Sequence, residues 1–108
     1  MNRDELKKIV KGPIATVPTP FDESLQVDLG CMAELTQWWV DQGVITGKSV
    51  IKVAANGGEG EKLSESEWLH LLQTVVQASN GAATVMGCIH YKDTVRAIED
   101  AKKAQDVG

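Results

Sequence analysis

The stretch Ser49-Val50-Ile51-Lys52-Val53-Ala54-Ala55-Asn56-Gly57-Gly58-Glu59-Gly60 decides how the chain is read. Its first half is rich in β-branched residues, which suit a pleated strand, and its second half is a glycine-dense loop. Ser64-Glu65-Ser66-Glu67 follows with capping-box form, Ser64 capping forward while Glu67 reaches back. Trp68, Leu71, Leu72, Val75 and Val76 then recur at helical spacing, and Asn80-Gly81 ends the run. Strand, loop and helix in that order make one βα unit.

The same unit recurs on both sides. Upstream, residues 2–11 predict a short helix or arm with Leu6, Ile9 and Val10 as its apolar face, stopped by Gly12-Pro13. Residues 14–17 are a short apolar strand closed by Pro18-Thr19-Pro20. Asp28 is a good N-cap, and Leu29, Met32, Ala33, Thr36, Trp39 and Val40 form one helical stripe, with Gly43 as the stop. Downstream, residues 83–89 predict a third strand. The polar link His90-Tyr91-Lys92-Asp93 leads to a last helix whose expected inner face is Val95, Ile98, Ala101 and Gln105. Trp38, Trp39 and Trp68 read as helix packing or subunit contact, Cys31 as buried in its helix, and Cys88 as a small hydrophobe at a strand end.

Three strands alternating with helices predict an α/β fold with parallel pairing through right-handed crossovers. Such a sheet must be covered on both faces and paired at both edges. Three units alone leave an edge open after the third strand. At 108 residues the chain is also short of the ~250 that a closed α/β barrel takes. The expectation is one partial domain over residues 1–108, either part of a longer polypeptide or completed by assembly of copies. A flavodoxin-like open sheet is a further arrangement, but the second strand lacks the tight glycine turn into its helix that it calls for.

Composition narrows the function classes. Hydrophobic residues are 43% and charged residues 24%, a globular balance, and the formal net charge is −4 with no basic stripe for nucleic acid. No apolar run approaches a membrane span, the charged N-terminus lacks a signal-peptide core, and two isolated cysteines read as reduced thiols. A cytoplasmic protein with no membrane or nucleic-acid partner is expected. No His, Asp or Glu cluster has metal-ligand spacing, so neither a metal nor another cofactor is expected.

Three ordered stretches resemble the dihydrodipicolinate synthase / N-acetylneuraminate lyase family of pyruvate-dependent aldolases. Residues 14–21, Ile-Ala-Thr-Val-Pro-Thr-Pro-Phe, with Val27-Asp28 beyond, are similar to that family's first strand and helix start. Asn56-Gly57-Gly58-Glu59, then Leu63-Ser64 and Glu67, resemble its Gly-Thr-Thr-Gly-Glu signature and the helix after it. Val85-Met86-Gly87-Cys88, with Thr94 and Ala97-Ile98, fits its third unit. The similarity covers roughly residues 12–108, the first third of a family member.

The resemblance implies the N-terminal three βα units of a (β/α)8 TIM barrel, usually tetrameric. It further implies a class I lyase or aldolase that joins pyruvate or a related 2-keto acid to a lysine as a Schiff base. In the family that lysine lies on strand six and an assisting tyrosine on strand five, both beyond this sequence. Lys48 and Lys52, at the start and middle of strand two, are not candidates for it.

Asn56 and Gly57 fall at the family's two hydroxyl positions, which hold the keto acid's carboxylate. Gly58 belongs to the same loop, Thr19 ends strand one on the same side, and His90 and Tyr91 are expected to meet the variable end of the substrate. Asparagine donates to a carboxylate but cannot relay a proton as a hydroxyl does. The substitution points away from the dihydrodipicolinate synthase reaction itself and toward a related aldolase, lyase or dehydratase. Glu59 is expected to be a structural carboxylate bonding nearby backbone. The alternative from another class is a non-catalytic partial barrel that acts through oligomerisation or a protein partner.

Overall fold

A computed structural model describes residues 1–90 and 92–108. A short helix, α1 (Arg3–Ile9), opens the chain, its start closed by a reciprocal capping box between Asn2 and Glu5. Strand β1 (Ile14–Thr16), helix α2 (Leu29–Asp41), strand β2 (Val50–Val53), helix α3 (Glu65–Ser79), strand β3 (Thr84–Gly87) and helix α4 (Thr94–Val107) follow. Two single 3-10 turns, Asn56–Gly58 and Gly60–Lys62, fill the connection between β2 and α3.

The strands pair in parallel in the order β1-β2-β3. Ala15 stands beside Ile51 and Val85, while Thr16 stands beside Lys52 and Met86. Because successive side chains alternate between faces, this register sorts the sheet into two surfaces. Ile51 and Val53 point toward the helices and form the core with Met32, Leu71, Leu72 and Val75, all of them buried. Val50 and Lys52 point the other way. On that second face Val50 is fully buried, whereas Ile14 is half exposed, Thr16 is exposed, and Lys52 and Met86 are partly covered. Helix α1 crosses its lower end, where the Thr84 hydroxyl donates to the Ile9 carbonyl at 3.2 Å.

The caps expected from sequence are in place. Asp28 accepts from the Cys31 N–H at 2.9 Å, Ser64 and Glu67 close their capping box, and Asn80 takes the left-handed conformation (φ 48°) that ends α3. Strands β2 and β3 are shorter than expected at both ends and β1 by one residue at its C-terminal end, because pairing stops where the chain turns into its loops.

Two packing expectations are corrected, the inner face of α4 and the burial of Cys31. In α4, Val95 and Ile98 are 65% and 51% exposed, and Ala101 and Gln105 are exposed as well; Ala104 and Val107 meet the core instead. The helix packs chiefly on α3, and the stripe next to that contact looks outward. Of the apolar residues expected on one face of α1, Ile9 is partly covered while Leu6 and Val10 are exposed. Cys31 is half-buried rather than buried, and Trp38 lies open on α2 while Trp68 is enclosed.

Candidate functional site

The C-terminal ends of the three strands converge on one open cleft of ≈ 470 Å³, whose walls include Thr16, Lys52, Asn56, Gly57, Cys88 and His90. This is the end of a parallel βα array where helix dipoles and loops gather ligands.

The cleft is shaped by the way β2 ends. Ala54 takes φ 58° although it is not glycine and is almost fully buried. A left-handed alanine costs ~1–2 kcal/mol, which the surrounding bonds hold in place. Its carbonyl accepts a hydrogen bond from His90 Nε2 at 2.7 Å, tying the end of β3 to the end of β2. A carbonyl only accepts, so the proton lies on Nε2. The other ring nitrogen, Nδ1, stands 4.0 Å from the Glu61 carboxylate.

The loop then folds on itself. Gly58 and Gly60 both donate to the Ala55 carbonyl, at 2.9 and 3.0 Å. Thr19 Oγ1 donates to the Gly58 carbonyl at 2.5 Å in a buried contact that ties the end of β1 to the loop. A Cβ on Gly58 would stand 2.6 Å from the Val17 carbonyl oxygen, and one on Gly60 would collide with the Ala54 carbonyl and His90 Nε2. Both glycines are set by close approach. On the far side, Trp68 Nε1 donates to the Cys88 carbonyl at 2.9 Å.

These contacts divide the expected site residues into two groups. Asn56 and Gly57 are exposed on the cleft wall; the Asn56 carbonyl accepts from the Glu59 N–H at 3.2 Å, and the first loop N–H to donate to backbone is that of Gly58. Among the described residues the N–H groups of Asn56 and Gly57 have no acceptor. Gly58 and Thr19 are buried, and their polar groups are used on each other and on Ala55. They build the wall from behind. His90 does both, since it lines the cleft and braces Ala54. Tyr91 lies outside the described residues.

Glu59 was expected to bond nearby backbone; its carboxylate instead faces Lys62 Nζ at 3.7 Å in an exposed ion pair. Sequence reasoning weighed Lys52 only as the Schiff-base amine and set it aside, and it gave Ala54 and Gly60 no role. Strand alternation was the available signal for Lys52, since it shares the face of Val50 and not that of Ile51. Among the described residues no group of three or more His, Cys, Asp or Glu side chains could hold a metal ion.

The model of the dihydrodipicolinate synthetase family matches residues 9–108. The chain belongs to that family. Similar to this family member is the 4-hydroxy-tetrahydrodipicolinate synthase of Heliobacterium modesticaldum, 36% identical over 95 residues, covering 88% of this chain and 30% of that protein. Among solved structures, dihydrodipicolinate synthase from Aquifex aeolicus superposes with a TM-score of 0.80 at 27% identity, over 90% of this chain and 31% of that one. The Acinetobacter baumannii enzyme, described as complexed with pyruvate, gives 0.80 at 25% identity over 93% and 33%. The chain thus spans about a third of the length of these dihydrodipicolinate synthetase relatives. Its three parallel βα units are those of the N-terminal part of their TIM barrel.

Proposed function

We propose that residues 1–108 form one partial TIM-barrel domain of a Schiff-base-forming lyase or aldolase that acts on pyruvate or a related 2-keto acid. The catalytic lysine and its assisting tyrosine come from later strands of a longer polypeptide. The observation that supports this best is the cleft at the strand ends, lined by Asn56 and Gly57, whose N–H groups have no acceptor among the described residues.

In this reading the ketone condenses with a lysine amine and loses water, and the resulting iminium draws electrons from the adjacent bond. Residues of this chain bind and orient. The Asn56 amide and the Gly57 N–H hold the carboxylate, which fixes the reacting carbon relative to the amine. His90 shapes the cleft toward the second substrate, and Gly58 and Thr19 hold the loop from behind. No cofactor is needed for this chemistry. A homo-oligomer, a tetramer by family resemblance, belongs to the same proposal. So does a cytoplasmic setting, supported by the free thiols of Cys31 and Cys88. No helix among the described residues is long and apolar enough to cross a membrane.

Borohydride reduction of the full-length protein with pyruvate tests the proposal. An irreversible adduct is expected by intact mass, mapped to a lysine beyond this chain. No added mass with any 2-keto acid would contradict it. One observation favours the second reading, a non-catalytic partial barrel: the bare second face of the sheet invites another copy or partner. A discrete, stable oligomer of the 108-residue chain as its natural form, together with failed trapping, would support that reading.

A further inference from the structure

We propose that Lys52 is the cation of the cleft and binds the carboxylate of the 2-keto acid together with Asn56 and Gly57; this rests on the function proposed above. The register carries the argument. Lys52 pairs with Thr16 and Met86 across the sheet, so its side chain shares their face and not the helix-covered face of Ile51 and Val53. It is partly buried and lines the same cleft as Asn56 and Gly57.

The interior of a barrel of this kind is filled by layers of bulky branched side chains, and a lysine in such a layer breaks that pattern. Covering an ammonium is costly unless it meets an opposite charge. Among the described residues Lys52 forms no ion pair: the ones present join Lys62 to Glu59, His90 to Glu61 and Arg96 to Asp93. The cleft's one carboxylate, Glu61, is highly exposed and faces His90.

The cleft's other donors are uncharged. Gly57 brings no side chain, and the Asn56 amide carries no charge, so neither offsets the charge of a carboxylate. Lys52 does, and its three N–H donors add to theirs. It acts as a binding residue, separate from the amine that forms the Schiff base.

The test uses the full-length protein and borohydride trapping, which needs no knowledge of the second substrate. The pyruvate concentration giving half-maximal trapping, and the trapped fraction at saturation, are measured for wild type, Lys52→Met and Lys52→Arg. Loss of one charge-assisted contact predicts a rise of about tenfold to a hundredfold in the half-maximal concentration for Lys52→Met, with the saturating fraction retained. Lys52→Arg should recover most of the affinity. An unchanged half-maximal concentration in Lys52→Met, with or without a loss of thermal stability, overturns the inference and leaves the Schiff-base reading standing. An adduct mapped to Lys52 itself also overturns it. Wild-type protein that traps no keto acid removes the parent reading and this inference with it.

Discussion

Gly60 illustrates how single residues set this cleft. Its missing side chain lets the loop lie against the Ala54 carbonyl and leaves room for the His90 ring to reach the same oxygen. Gly60→Ala should therefore cost about 1–3 kcal/mol, the range for overpacking a tight contact, measured by urea unfolding of the full-length protein. Thr19 acts from the opposite side. Thr19→Val keeps the shape but strands the buried Gly58 carbonyl, and a loss of about 1–3 kcal/mol is expected in the same measurement. Sequence reading placed Thr19 at the site and was silent on its partner, since a contact 39 positions away leaves no local trace. The loop's glycines were legible as a turn. Which of them are set by close approach was not, because that depends on the carbonyls of β1 and β2 that press against them.

Helices were legible where caps and periodicity agree, as in α3, whose capping box, buried stripe and Asn80 stop all stand where the residues predict. Helix α4 shows the limit. Its apolar residues fall on two stripes, and periodicity alone does not say which one meets a neighbour. Ala104 and Val107 take the core, while Val95 and Ile98 look outward. If a further βα unit packs there, Ile98→Ser should destabilise the full-length protein by about 2–4 kcal/mol, as a buried truncation does. A change within about 0.5 kcal/mol, normal for a surface site, would show that nothing covers this face. Strand β2 teaches the same lesson in another form: its alternation was readable, yet the meaning of Lys52 depended on which face the helices took.

At the scale of the molecule, the core lies on one side of the sheet and the other side is largely bare. Ile14, Thr16, Lys52 and Met86 belong to a face that eight strands would enclose and three cannot. Expressed alone, the 108-residue chain should self-associate or bind a hydrophobic dye. Light scattering across a concentration series checks this, and a stable, dye-silent monomer would show that the face needs no cover. The order of units and the parallel pairing were legible in the sequence because both rest on spacing, and the family was legible as a resemblance in three ordered stretches. The division of labour at the site, with Asn56 and Gly57 on the wall and Gly58 and Thr19 behind it, required coordinates.

The most direct measurement is a crystal structure of the full-length protein after borohydride reduction in the presence of pyruvate. The account predicts β1 and β3 each paired to a further parallel strand in a closed barrel. The reduced adduct should sit on a lysine of a later strand, with its carboxylate within hydrogen-bonding distance of Asn56 and Gly57. An adduct whose carboxylate lies away from this loop, or a sheet whose outer edges stay unpaired, would contradict it.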